Sequence, residues 1–265
     1  MKPWRAGRLA LESRLQRCDL ALFLDYDGTL VPLQPHPDKA VMPAATRALL
    51  KELAAIPSMR TAIVSGRPLQ SIRRQTRIPA FFYAGNHGFE IQGPGMQFLH
   101  PAAHQAKKIL PKLVPELKRA LRHFPGAWIE NKKVTLSLHY RALNSSTARN
   151  FSAWLHAWMT TQHLGRHFTL HPGKKVWEIR PRVYWNKGRA MLKILSHWQR
   201  RAGRPFLAVY IGDDRTDEDA LKLLPPSGWG IKVTASGKGP SAARLYLKNP
   251  TETLRCLRWF KNLKK

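Results

Sequence analysis

Three short segments of this chain are apolar without alternation, and each runs directly into a polar cluster. Leu20–Leu24 leads into Asp25-Tyr26-Asp27-Gly28-Thr29, Arg60–Val64 into Ser65-Gly66-Arg67, and Phe206–Ile211 into Gly212-Asp213-Asp214. An apolar run of this length with no polar alternation leaves no face for water, so each reads as a strand covered on both sides in a parallel sheet. Helical patterns lie between them: Ala44–Ala55 after Pro43, and Lys187–Arg200 with Met191, Ile194, Leu195 and Trp198 on one side. The tail Thr251–Leu263, with Leu254, Leu257 and Phe260 spaced by three, reads as a closing helix that Thr251 would cap. Strands alternating with helices predict an open α/β sheet.

From about His104 to Asn186 the texture changes. A helix-like segment carries internal Pro111 and Pro115, an alternating strand spans Val134–Tyr140, and Phe151, Trp154, Leu155, Trp158 and Met159 recur at helical spacing. Two further strands are expected at Phe168–His171 and Val176–Ile179. This predicts a smaller α/β unit, residues 104–186, inserted into a core made of residues 1–103 and 187–265, with the aromatic stripe as the insert's own core.

Among 265 residues there are 45 Lys and Arg against 16 Asp and Glu, a formal net charge of +29. With 43% hydrophobic and only 23% charged residues, the composition excludes a disordered polycation. Residues 104–186 hold 15 Lys and Arg and 3 acids, so the positive charge is not confined to one tail or face. Such a surface attracts polyanions weakly through counterion release; weak, non-specific nucleic-acid binding is expected, without a specific nucleic-acid partner. Cys18 and Cys256 are too few for a disulfide framework or a zinc site, and the first apolar run is five residues long. A soluble, cytoplasmic monomer without a membrane partner is expected.

The position of the acids is more informative than their number, because seven of the sixteen lie in Asp25–Asp27 and Asp213–Asp219. Asp25 and Asp27 fall just past a buried strand, at the carboxyl end of the sheet, where open α/β folds bind ligands. Two carboxylates two residues apart there supply a nucleophile and a second group placed for proton transfer, and Gly28 lets the chain turn away sharply.

In this order the motifs resemble those of the haloacid dehalogenase-like phosphohydrolases, whose core is an open, Rossmann-like parallel sheet. The resemblance continues through Ser65-Gly66-Arg67, through Lys187-Gly188 at a helix start, and through Gly212-Asp213-Asp214-Arg215-Thr216-Asp217. Four further segments make the chain, from about Asp19 to the closing helix, similar to the trehalose-6-phosphate phosphatase family. They are Gly85-Asn86-His87-Gly88-Phe89-Glu90, Glu130-Asn131-Lys132, His139-Tyr140-Arg141 and Gly173–Pro181.

The resemblance implies Mg²⁺-assisted, two-step hydrolysis of trehalose 6-phosphate. Asp25 would attack phosphorus, and Asp27 would protonate the leaving sugar oxygen and then activate water. Ser65 and Lys187 would hold the phosphoryl oxygens. The metal would sit on Asp25, the main-chain carbonyl of Asp27, and Asp213, with Asp214 and Asp217 either direct or outer-shell ligands. Arg67, Asn86, His87 and Gly88 are implied substrate contacts. The insert becomes a lid whose Glu130, Lys132, Lys174 and Glu178 grip sugar hydroxyls, with Arg141 nearby. The alternative within the same chemistry is a related sugar-phosphate phosphatase acting on sucrose phosphate or a mannosyl phosphoglycerate, which the Glu130, Lys132, Lys174 and Glu178 set disfavours. A basic nucleic-acid-binding protein on the same fold is the reading from another class, which the retention of Asp25, Asp27 and Asp213 disfavours.

Overall fold

A strand with no polar alternation must find two apolar layers, and Asp19–Leu24 does. In the computed structural model, which describes residues 1–34, 36 and 39–264, this strand pairs in parallel with Met59–Val64 on one side and Phe206–Gly212 on the other. Its side chains divide by parity. Leu20, Leu22 and Leu24 enter one buried cluster, and Ala21 and Phe23 enter a second on the opposite face of the sheet.

Two units can be distinguished, Met1–Phe98 with Trp185–Lys265, and Leu99–Tyr184. In chain order the elements are β1 (Lys2–Pro3), α1 (Arg8–Leu15), β2 (Asp19–Leu24), α2 (Ala44–Ala54), β3 (Met59–Val64), α3 (Leu69–Thr76), β4 (Phe82–Gly85), β5 (Glu90–Gly93) and β6 (Met96–Leu99). The second unit holds α4 (Pro101–Ala120), β7 (Trp128–Asn131), β8 (Leu136–His139), α5 (Ser145–Thr161), β9 (Phe168–Gly173) and β10 (Val176–Pro181). The first unit resumes with α6 (Lys187–Gln199), β11 (Phe206–Gly212), α7 (Glu218–Lys222), β12 (Trp229–Val233), β13 (Leu245–Leu247) and α8 (Pro250–Lys264).

The first unit is an α/β fold around one sheet of order β1-β13-β12-β11-β2-β3-β4-β5-β6. It is parallel from β1 to β4, and β5 then joins antiparallel. One face is covered by Leu11 and Leu15 of α1, Leu49, Leu50 and Leu53 of α2, and Leu257 and Phe260 of α8. The other is covered by the stripe Met191, Ile194, Leu195 and Trp198 of α6, with Trp198 stacked on Phe23 at a ring separation of 5.2 Å. Helix α6 starts where it does because the Asn186 side chain accepts the amide of Arg189 (3.0 Å), which makes Lys187 the first helical residue.

The second unit packs α4 and α5 on a wholly antiparallel sheet of order β7-β8-β10-β9. Phe151, Leu155, Trp158 and Met159 of α5 form its core with Leu136, Leu138 and Ile179, so the aromatic stripe is structural, as expected. Because strands alternate, Glu130, Ser137 and Glu178 are left side by side on the opposite face, in register across β7, β8 and β10.

Two expectations are corrected. The strand predicted over Val134–Tyr140 is only Leu136–His139. The preceding residues form a turn in which the Lys132 amide donates to the Thr135 carbonyl (3.0 Å) and Lys133 adopts φ +68°. The closing helix starts at Pro250 and is capped by Asn249, whose Oδ1 accepts the Glu252 amide (3.0 Å); Thr251 lies inside it. Proline suits the first helical position because it has no amide to leave unpaired. Cys18 and Cys256 are free thiols, and among the described residues no helix is long and apolar enough to cross a membrane.

Asn249→Ala is therefore expected to lower folding stability by about 1 kcal/mol, and Thr251→Ala to change it by less than about 0.5 kcal/mol, as measured by urea titration.

Candidate active site

The carboxyl ends of β2, β3 and β11 deliver the predicted residues to one end of the first unit's sheet. Asp25 continues the ladder past β2, its amide donating to the Ile211 carbonyl (2.9 Å), which holds its carboxylate beside the acidic loop that follows β11. Ser65 follows β3 with its amide bonded to the Ala84 carbonyl (2.9 Å), and its Oγ accepts the Arg67 amide (3.1 Å).

At the centre lies a buried ammonium. Lys187 Nζ donates to Asp25 Oδ1 and to Asp217 Oδ1, each at 2.8 Å, and lies 3.9 Å from Asp214 Oδ1. Tyr210 Oη also donates to Asp217 Oδ1 (2.7 Å), and the Asp214 amide donates to Asp217 Oδ2 (2.9 Å). Asp217, fully buried, thus has both oxygens engaged. Asp214 is held mainly by its own loop, its Oδ1 accepting the amide and hydroxyl of Thr216 and the amide of Asp217.

The electrostatics are unbalanced. Carboxylate oxygens of Asp25, Asp213 and Asp217 lie within 4.8 Å of one another, and a single ammonium, Lys187, bridges two of the three. Burial, reinforced by Asp217, pushes the Asp25 carboxyl well above the usual carboxylate range although Lys187 opposes it. Burial pulls on the Lys187 ammonium in the deprotonating direction, but Asp217 and Asp25 outweigh it and hold the group well above its ordinary value. For Asp214, burial is overcome by Lys187 and by the Thr216 and Asp217 donors, and its carboxyl falls below the usual range. An all-oxygen, carboxylate-rich set with excess negative charge fits a hard divalent cation such as Mg²⁺. Gly28 makes room for part of it: at φ +80°, a Cβ there would lie 2.3 Å from Asp213 Oδ2.

Asp27 is held differently. Arg67 grips it with Nε to Oδ2 (2.6 Å) and Nη2 to Oδ1 (2.7 Å), a bidentate fork. The same guanidinium lies 5.0 Å from the centre of the Tyr26 ring. Next to it the chain makes a tight turn in which Asn86, His87 and Gly88 all have positive φ. The His87 amide returns to the Ser65 carbonyl (2.9 Å) and the Asn86 amide to the Arg67 carbonyl (2.7 Å), so this turn is tied to the Ser65–Arg67 loop. Asn86 Nδ2 donates to Glu90 Oε2 (2.7 Å). The His87 ring packs onto the α-carbon of Gly66, where a Cβ would come within 2.7 Å of it.

In the second unit, the polar face of the four-stranded sheet carries a connected network. Glu178 Oε1 accepts from Thr135 Oγ1 (2.9 Å) and Lys132 Nζ (3.3 Å), while its Oε2 takes Arg180 Nε (2.8 Å) and Nη2 (2.6 Å). Lys132 Nζ also lies 4.0 Å from Glu130 Oε2. That oxygen is 3.1 Å from His139 Nε2, and the His139 ring stacks on Trp128 with centroids 4.0 Å apart. Burial raises the Glu130 carboxyl, but His139 and Lys132 outweigh it and bring it below its ordinary value. Arg141 and Lys174 meet at the exposed end of the β9–β10 hairpin, where Arg141 Nη2 donates to the Lys174 carbonyl (3.2 Å).

The structure thus brings Asp25, Asp213, Asp217 and Lys187 into one cluster, with Asp214 at its edge, and joins Asp27 to Arg67. Asn86, His87 and Gly88 form the adjoining turn, tied to the loop that holds Ser65, and Glu130, Lys132 and Glu178 form a separate network in the other unit. Sequence reasoning missed five participants: Tyr210, Trp128, Thr135, His139 and Arg180. The period of two would have marked three of them, because Trp128, His139 and Arg180 share the sheet face of Glu130 and Glu178. Tyr210 sits within an apolar strand and carried no signal.

The sequence pattern of the trehalose-phosphatase family matches residues 23–251. Probable trehalose-phosphate phosphatase D of Arabidopsis thaliana is 35% identical over 246 residues, covering 88% of this chain and 64% of that protein. The trehalose-phosphate phosphatase of Mycobacterium tuberculosis (strain ATCC 25618 / H37Rv) is 36% identical over 234 residues, covering 87% of this chain and 58% of that one. The chain spans about three-fifths of the length of these two curated relatives. In fold, it is similar to the C-terminal domain of the C. albicans trehalose-6-phosphate phosphatase, with a TM-score of 0.78, 22% identity and 97% of each chain covered.

Removing the central ammonium leaves two buried carboxylates facing each other. Lys187→Met is expected to cost about 3–5 kcal/mol of folding stability in chemical denaturation, far more than a surface lysine substitution.

Proposed function

Since this chain belongs to the trehalose-phosphatase family, we propose that it hydrolyses trehalose 6-phosphate to trehalose and inorganic phosphate through an aspartyl-phosphate intermediate. The observation that carries this reading is the buried Asp25 carboxylate at the end of β2, fixed by Lys187, with a second carboxylate, Asp27, held two residues on by an arginine fork.

In the first step an Asp25 oxygen attacks phosphorus as the bond from phosphorus to the sugar oxygen breaks, and Asp27 delivers a proton to that oxygen. In the second, Asp27 takes a proton from water, which attacks the same phosphorus and releases Asp25. The Arg67 fork positions Asp27 and must yield one carboxylate oxygen to the leaving group. Lys187 and the Ser65 hydroxyl hold the phosphoryl oxygens, whose charge has to be offset in the transition state. Arg67, Asn86, His87 and Gly88 are proposed to complete the substrate's surroundings on the first unit.

Asp25, Asp213 and the main-chain carbonyl of Asp27 would hold Mg²⁺, which when bound offsets negative charge between the attacking carboxylate and the phosphoryl group. Asp217, whose oxygens serve Lys187, Tyr210 and the Asp214 amide, acts by holding Lys187 rather than by taking the cation, and Asp214 is an outer group.

Residues 104–186 are proposed as a lid domain in which Glu130, Lys132, Arg141, Lys174 and Glu178 recognise the sugar. Paired carboxylates and ammonium groups offer acceptors and donors together, which suits a disaccharide rich in hydroxyls. Two free cysteines accord with a cytoplasmic enzyme.

Phosphate release from trehalose 6-phosphate should require Mg²⁺, stop with EDTA and fall at least about a thousandfold in Asp25→Asn; near wild-type turnover by that variant would exclude the covalent route. Glu130→Ala should lose about tenfold or more in kcat/KM on trehalose 6-phosphate while hydrolysing p-nitrophenyl phosphate at close to the wild-type rate, because remote sugar contacts supply positioning energy. Equal losses on both substrates would make Glu130 structural.

A further inference from the structure

Away from the carboxyl ends of the strands, the first unit has a cavity of about 710 Å³ that the proposed phosphatase chemistry does not use. It lies where α3 ends and β4 begins, and where β5 runs out antiparallel beside β4, with Tyr83 opposite Gln92. Since β4 runs parallel to β3, and Ser65 at the end of β3 bonds to Ala84 near the end of β4, this cavity sits toward the amino end of the parallel sheet.

Its rim is cationic. Arg73 and Arg74 occupy the last turn of α3 and Arg77 caps it in the left-handed conformation (φ +58°). No Asp or Glu lines the cavity, and the chain carries none between Glu52 and Glu90. Among the described residues, none of these three guanidinium groups is paired with a carboxylate; Arg73 Nη1 donates to the neutral Gln92 Oε1 (2.7 Å) and Arg77 Nε to the Arg74 carbonyl (3.0 Å). Like charges four residues apart repel. The carbonyl end of the helix offsets only part of that repulsion, by roughly 0.3–1 kcal/mol per cation.

Its floor is apolar. Phe81, Tyr83 and Ile78 lie buried beneath it, the Tyr83 hydroxyl tied to the amide and carbonyl of Ile78 (3.2 and 2.8 Å), and the exposed rings of Pro79 and Pro94 add apolar surface to its wall. The volume falls in the range of sites for drug-sized ligands. A cluster of guanidinium groups is the usual receptor for phosphate oxygens, and an apolar floor takes a planar ring.

From this combination we infer a second ligand site that binds a small molecule bearing a ring and two or more phosphate charges, the chemistry of a nucleoside polyphosphate. Its phosphates face Arg73, Arg74 and Arg77, and its ring lies on the floor.

The test is calorimetric titration of the full chain with ATP, adenosine and tripolyphosphate at fixed ionic strength. The variant Arg73→Gln/Arg74→Gln/Arg77→Gln is titrated alongside a charge-matched control, Arg119→Gln/Arg122→Gln/Arg149→Gln in the second unit. All six side chains are outside the proposed phosphatase machinery. ATP should bind the wild type and the control with similar affinity, and the rim variant at least tenfold more weakly. Adenosine and tripolyphosphate should each bind more weakly than ATP. Hydrolysis of trehalose 6-phosphate without ATP should be the same in all three proteins. Equal ATP affinity in the rim variant and the wild type would overturn the site, as would equal weakening in the control, which would reduce binding to the general +29 charge. Tripolyphosphate binding as tightly as ATP would overturn the ring's place on the floor. An unchanged melting temperature of the rim variant verifies that lost binding is not lost folding.

Discussion

One buried ammonium organises the acidic cluster of the first unit. Lys187 reaches Asp25, 162 residues earlier in the chain, and Asp217, 30 residues later, and so joins the start of α6 to the loops after β2 and β11. Taking such groups out of water costs several kcal/mol per ion, and their mutual attraction offsets this only if every partner is placed accurately. The accuracy comes from the sheet, whose central strands are buried on both faces, and from Tyr210, a polar group inside an apolar strand that adds a third donor around Asp217. With three clustered carboxylates to one ammonium, the site keeps an excess of negative charge, and this makes it receptive to a cation where a neutral salt bridge would not be.

The second unit uses similar pairing on a half-exposed sheet face. Glu178 is saturated by Thr135, Lys132 and Arg180, while Glu130 shares its outer oxygen between Lys132 and a His139 ring braced by Trp128. A surface ion pair taken singly contributes little, but a network whose members fix one another's rotamers presents donors and acceptors in a set geometry. Such preorganised groups can tell one hydroxylated ligand from another.

The charge of +29 is not merely diffuse. In the first unit three of its arginines, Arg73, Arg74 and Arg77, gather at the end of α3, where no carboxylate among the described residues pairs with them, toward the opposite end of the strands from the acidic cluster. An open α/β sheet has two ends, and its loops at each can be specialised separately because the strands between them are rigid.

Much of the fold and part of the site are legible in the sequence alone. The unbroken apolar runs Leu20–Leu24 and Phe206–Ile211, too short for helices and set between helical patterns, point to parallel strands buried on both faces, and the motifs at their ends mark where the acids gather. The stripe Phe151, Leu155, Trp158 determines a helix with one apolar side. What the tertiary structure decided is which charge meets which. The sequence is compatible with Arg67 as a phosphate binder or as a cap, and the structure closes it on Asp27, 40 residues away. It also gives Glu178 to Lys132 and Arg180, and places Lys174 at a hairpin end with Arg141. Thr251 has the chemistry of a cap, but Asn249 is nearer the first turn's amides. Periodicity reports which face of an element is buried because that depends on neighbours three, four or two residues away. Charge pairing depends on strand register and on contacts between elements far apart in the chain, about which local periodicity carries no information.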